Sequence, residues 1–345
     1  MSNCWRRYRS MKGQLSYIAV LRSLSILVVV FFHTYGYMYA ASHFPDSVEQ
    51  YHHAYYWINQ CVFINLAMPL FTVISGFLFA YQYAAGKYHD FWKMAGKKFQ
   101  RLIIPFIIFA LAMMATTGVP FKPWMLYTGG LSHLWYLPML FWCFIIGYWI
   151  QKYIRQWYWL AAILLMLLLL VLAKINDHVP HIFQIHNIIP WYPWFLLGQI
   201  IAIYYAPTLA FFSKKPYLMF LLLIPFCVQS YLWPVEYGEA TWYSKCTIIA
   251  FIFGLWHLAG KTEKWNAFFK PFLWFSKYSF GIYIFHNWIG PYLIPSTSKK
   301  LLPLQELATN HIILFPFVLT IVILLVSLLL SWCLLKTRIG KLLIG

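Results

Sequence analysis

Acidic side chains are scarce in this chain: its 345 residues include only eight Asp and Glu, and charged residues of both signs make up 10%. None of the eight lies inside a long apolar stretch. Asp46, Glu49, Asp177, Glu236, Glu239 and Glu306 sit in loops of one side, Asp90 and Glu263 in loops of the other. Coupled transporters bury ionisable groups, often carboxylates, along the ion path, so this distribution argues against cation-coupled transport. Paired cysteines are also lacking. Cys4, Cys61, Cys143, Cys227, Cys246 and Cys333 contain no CxxC and mostly fall in apolar runs, which reads as small core residues rather than disulfides or metal ligands. There is no internal repeat, low-complexity tract or soluble domain, and the basic start "CWRRYRSMK" runs into an apolar stretch too long for a cleavable signal.

Hydrophobic residues, by contrast, reach 62%, well above the roughly 45–50% of soluble domains. A spanning helix needs about 20 mostly apolar residues, and about ten segments qualify on that criterion. They run over 16–40, 58–83, 101–118, 133–150, 157–173, 188–206, 216–233, 243–260, 274–293 and 311–335. The expected fold class is an all-α, polytopic membrane helical bundle forming one domain over 1–345. Basic residues test the segment list independently, because they collect in cytoplasmic loops. Arg6, Arg7, Arg9, Lys12, Lys87, Lys93, Lys97, Lys98, Arg101, Lys152, Arg155, Lys214 and Lys215 fall on one side, as do the cations after residue 260 except Lys299 and Lys300. The opposite side holds only Lys122, Lys174, Lys245, Lys299 and Lys300. Both termini are therefore expected in the cytosol. The net charge of +18 is then largely topological, with anionic headgroups and anionic cytosolic ligands as partners and no need for nucleic acid.

Arg22 and His33 interrupt the first apolar segment. Eleven residues at about 100° each make three turns and about 20°, so both lie on one stripe, roughly 16 Å apart along the axis. Arg22 can snorkel to cytoplasmic headgroups, but a polar ring near mid-membrane is costly in lipid, so His33 is expected to face protein. In the outer loop, His43, His52, His53, Asp46 and Glu49 invite a metal reading. His52 and His53 are adjacent and diverge on a helix, so no metal site is expected.

The arginine, ten intervening residues and histidine of the first helix resemble the hallmark of the integral-membrane acyltransferase-3 family. Further segments are similar in the same order. "FTVISGFLF" (71–79) looks like the family's second-helix F-x-x-I-S-G-F-L, and "KKFQRLIIPF" (97–106) like the basic approach to its third helix. "SHLWYLPMLFW" (132–142) resembles H-L-W-F-L-P-x-L, and "KYSFGIYIFHNWI" (277–289) resembles Y-S-x-x-I-Y-L-x-H. One departure stands out: Lys98 and Arg101 occupy the place of a frequent Arg-x-x-Arg. The charge is kept, but lysine lacks the bidentate fork that guanidinium offers a phosphate.

The resemblance implies a multi-pass protein of a bacterial cell (inner) membrane. Its implied reaction is transfer of an acyl group, most often acetyl, from acyl-CoA to a carbohydrate hydroxyl on a surface polysaccharide or its lipid-linked precursor. Acyl-CoA is a co-substrate, and no permanently bound cofactor is expected. His33 is the expected general base, or carries the acyl group briefly, since imidazole titrates near neutrality. Arg22 is expected to orient acyl-CoA or stabilise oxyanion charge, and Lys98 and Arg101, three residues apart and so on one helix face, to hold its phosphates. Ser75, His133, Trp135, Tyr136 and His286 are candidate substrate residues. For Ser75 and Gly76 close helix packing is the favoured alternative, for the 133–136 group an aromatic belt, and for His286 a bridge between helices. A polysaccharide exporter, or a non-catalytic member of a polysaccharide-synthesis complex, remains the rival function.

Overall fold

A computed structural model of the protein describes residues 14–40, 64–117, 122–153, 167–168, 171, 179–214, 266–293, 310–311 and 314–345. The described residues are helical, with no strand among them. In order, the helices are α1 (Gln14–Ala40), α2 (Ile64–Ala84), α3 (Phe91–Lys98), α4 (Ile104–Thr117), α5 (Pro123–Thr128) and α6 (Tyr136–Tyr153). They continue as α7 (Ile188–Lys214), α8 (Asn266–Phe275), α9 (Ser279–Leu293), α10 (Phe315–Leu335) and α11 (Arg338–Ile344). By length and composition, Ala67–Ala84, Phe91–Thr116, Ser132–Tyr153 and Phe315–Leu335 can each cross a membrane, and Ile18–Thr34 within α1 is a shorter apolar run. The expected segments at 216–233 and 243–260, and nearly all of 157–173, lie outside the described residues.

The third expected span starts ten residues earlier than hydropathy places it. Asp90 caps α3, its carboxylate accepting from the N–H groups of Trp92 (2.7 Å) and Lys93 (3.2 Å), which satisfies donors that a helix start leaves orphaned. Lys93, Lys97 and Lys98 are therefore helical, not part of a loop. Between α3 and α4 the chain makes a π turn, Phe99–Ile103, in which the Ile104 N–H reaches back to Phe99 O. In the sixth span, the proline-rich "IIPWYPW" opens α7; Pro190 falls in its first turn, where a missing N–H costs nothing.

The described residues form two compact units, one within 71–208 and 334–345, the other within 13–70 and 209–333. The first has an aromatic core: Phe79 and Phe195 each meet the Phe144 ring edge-on, at 5.4 and 5.2 Å, a favourable geometry for aromatic pairs. Here α2 and α7 touch backbone to backbone. A Cβ on Gly76 would stand 2.0 Å from Phe195 O, and one on Gly198 2.0 Å from Val73 O. Small residues at such crossings are how membrane helices gain dispersion contact. The second unit is built on α1. Ser23 Oγ donates to Phe272 O of α8 (2.6 Å) and Ser25 Oγ to Ala67 O (2.9 Å), while Phe31 packs on Phe317 of α10 at 5.1 Å.

Candidate active site

In the second unit, α1 carries both hallmark residues. Arg22 and His33 are half-buried, and the helix is continuous between them, so their separation along the axis is set by the helical rise. His33 meets His286 of α9, the ring centroids 5.1 Å apart and the planes tilted by 51°. His286 is 1% exposed, and its Nδ1 lies 3.1 Å from Ile282 O. Asn287 is buried beside it in sequence, and the Tyr283 ring stands 6.0 Å from His286. The structure thus brings together two histidines from the first and a late helix.

The first unit holds the other candidates in two places. At the π turn, Lys98 and Arg101 take different partners despite their spacing. The Lys98 ammonium stands 3.6 Å above the centre of the Phe144 ring and 5.5 Å from that of Tyr88, a cation–π arrangement that occupies its charge. Arg101 is exposed, and its Nη2 donates to Gly345 O at 3.0 Å, using one of five N–H donors. A π turn, which holds more residues than an α turn, lies between them, so their side chains diverge more than the same spacing gives in an α-helix. Tyr88 senses the same cations: burial raises the pKa of its phenol, and the Arg101 charge partly offsets that.

The second place is formed by the segment before α6 and the segment before α7. His133 is buried at 4% exposure, and Trp135 packs on Trp191 at 5.3 Å. The Tyr136 hydroxyl shares hydrogen bonds with Thr72, at 3.2 Å, and with Ser75. Ser75 is therefore tied to a phenol, and Thr72 joins a group that motif matching did not single out. Phe183 and Gln184 both have positive φ, 44° and 60°, an uncommon backbone for side-chain-bearing residues. They are held by Trp142 Nε1 on Phe183 O (3.1 Å), Gln184 Nε2 on Thr128 O (3.0 Å) and Asn187 Nδ2 on Gln184 Oε1. His181 and His186 face each other at 4.0 Å. Burial, with the neighbouring His181 charge, holds His186 below the ordinary histidine pKa. No signal in the sequence had marked this pair.

Among the described residues no group of three or more His, Cys, Asp or Glu gathers as for a metal ion, and the His43, His52, His53, Asp46 and Glu49 loop lies outside them. Cys143 is buried and Cys333 exposed, both as free thiols.

A family model described as an acyltransferase domain matches residues 15–336. The chain belongs to the acyltransferase-3 family. It is accordingly an integral membrane acyltransferase. The match spans α1 to the end of α10, so both histidines, the π turn and the Tyr136 group fall inside the acyltransferase domain. No curated protein and no solved structure matches the chain.

Proposed function

We propose that this acyltransferase moves an acetyl group from cytosolic acetyl-CoA to a hydroxyl of a carbohydrate, a surface polysaccharide or its lipid-linked precursor, in a bacterial inner membrane with both chain termini cytoplasmic. The observation that carries the reading is the meeting of His33 and His286 within one unit. A hydroxyl is a poor nucleophile, and a histidine placed to take its proton supplies typically 10²–10⁴-fold in rate. In the step, the hydroxyl proton passes to His33 as its oxygen bonds the thioester carbon. The carbon–sulfur bond breaks, and the CoA thiolate takes the proton back from His33. Arg22, about three turns nearer the cytosol, guides the donor. Arg101 grips its phosphates, a role that falls to it because the Lys98 charge rests on Phe144.

Arg101→Ala is expected to raise KM for acetyl-CoA about tenfold or more with kcat little changed, because a charge-assisted fork to phosphate acts mainly in binding. Arg101→Lys should recover only part of that. Initial rates in washed membranes over a range of acetyl-CoA concentrations check it, and an unchanged KM removes Arg101 from the donor site. The reaction itself is tested on cells with and without the gene. Loss of glycan O-acetyl groups with the polymer retained supports the enzyme, and loss of the polymer supports export or a scaffold role.

A further inference from the structure

After α10 ends at Leu335, the chain turns over Lys336 and Thr337 into α11. Thr337 makes the turn: its hydroxyl donates to Leu334 O (2.8 Å) and accepts the N–H of Gly340 (2.8 Å). A Cβ on Gly340 would stand 1.7 Å from Leu334 O, so glycine is what lets α11 lie this close to the residues before the turn. α10 is long and apolar enough to cross a membrane, and the helix that follows it so directly therefore starts at a membrane surface. α11 packs on the π turn and on α4, which make up part of the apolar span Phe91–Thr116.

At about 100° per residue, α11 has three flanks. Gly340, Leu343 and Ile344 fall within one arc of about 100° and are buried. Ile339 and Leu342 form a second flank, 67% and 49% exposed. Arg338 and Lys341 form the third, also exposed. No Asp or Glu lies in 91–117 or in 307–345, so neither α11 nor the span it rests on supplies an anion to these two cations.

We propose that α11 is an interfacial helix that docks on anionic phospholipid: Ile339 and Leu342 enter the boundary between headgroups and acyl chains, and Arg338 and Lys341 hold lipid phosphates. Seven residues are too few to bind a bilayer alone, but α10 already tethers them at its surface, so each contact acts within one molecule. Lipid rather than CoA is the source of these phosphates, because the apolar flank beside the two cations is matched by acyl chains and by nothing in a nucleotide. The seated helix also reaches the donor site. Gly345 O accepts from Arg101 Nη2 at 3.0 Å, which restrains the guanidinium and leaves four N–H donors for a phosphate. A side chain held beforehand loses less rotamer freedom when its ligand arrives. This effect on the donor rests on the reading of Arg101 as the grip on the acetyl-CoA phosphates.

Lipid binding is read first, without any assay of transfer. Full-length protein in detergent is titrated with phosphatidylglycerol or phosphatidylcholine, and bound lipid is counted by native mass spectrometry. Each cation near a surface adds roughly fivefold to the affinity for anionic lipid, so the double variant Arg338→Gln/Lys341→Gln should hold phosphatidylglycerol about 30-fold more weakly, with phosphatidylcholine unchanged. Equal affinity of the wild type for both lipids, or no loss in the double variant, overturns the proposal. Binding of radiolabelled acetyl-CoA then separates the two sources of phosphate. In nanodiscs containing phosphatidylglycerol, the Kd for acetyl-CoA is expected to rise about fivefold in the double variant, because Arg101 is held less well; in phosphatidylcholine alone it should stay within about twofold of wild type. An equal rise in phosphatidylcholine shows the two cations serving the donor and overturns the lipid assignment, and no rise in either disc overturns the link to Arg101. If Arg101→Ala leaves acetyl-CoA binding unchanged, the Arg101 reading falls instead, and the lipid titration still decides whether α11 is a lipid site.

Discussion

In membranes carrying His33→Ala, acetyl transfer is expected to fall by about 10³-fold or more while the protein remains folded and inserted. The general-base term alone is worth about 10²–10⁴, and a residue that also returns the proton to the leaving thiolate serves both halves of the step. The packing cost is small by comparison. His33 is half-buried, and its loss leaves intact the bonds that fasten α1 elsewhere, from Ser23 to Phe272 O and from Ser25 to Ala67 O. KM for acetyl-CoA should change little, since His33 is assigned to the reacting atoms and the phosphates to Arg101. Rates measured at matched protein levels, with thermal unfolding as the control for folding, decide the matter; undiminished transfer would take His33 out of the chemistry.

Gly198→Val is expected to abolish the folded protein by a different route. The added Cβ would fall 2.0 Å from Val73 O and 2.8 Å from Phe77 N, and both obstacles are backbone. No rotamer change relieves them, so α2 and α7 must separate. Gly76 meets Phe195 O in the same way from the opposite helix, so either substitution opens the crossing. Overpacking a well-packed core costs typically 1–3 kcal/mol and occasionally more. A forced helix separation also strips dispersion contacts along the interface, placing these variants at or beyond the upper end of that range. Gly96→Ala is the matched control. Nothing lies within 4 Å of a Cβ there, and alanine in a helix interior is favoured over glycine by about 1 kcal/mol. Size-exclusion profiles and melting temperatures in detergent should separate the two substitutions clearly, and Gly198→Val protein as stable as wild type would contradict the close crossing.

The helices were legible in the sequence wherever burial in lipid demands long apolar runs, as in α2, α6 and α10. The start of α3 was not. Its sequence FWKMAGKK is amphipathic and basic, which reads as a loop on a hydropathy scale, and the signal that opens it is the single capping residue Asp90. The π turn has no compositional mark, because it is a choice of hydrogen-bond partner among residues that would equally suit an α-helix. Arg22, His33 and His286 were each marked by motif. That His33 and His286 meet is a property of packing between distant segments, which periodicity within one helix cannot report. Thr72 escaped notice because its role is conferred by Tyr136, not by its own surroundings in sequence.

The five residues Phe99–Ile103 also set the phase of the helix they interrupt. A π turn closes with one residue more than an α turn, so the extra residue is absorbed where it stands, and tightening the turn to α geometry with every residue kept would rotate all of Phe91–Lys98 against Ile104–Thr117 by the roughly 100° that one α-helical residue adds. Lys98 would swing away from the Phe144 ring, and the cationic stripe would point somewhere else while every charge and every apolar residue in the span survived. Deleting Gln100 along with the tightening would cancel that rotation, so the extra residue of the turn is what sets where the basic face points.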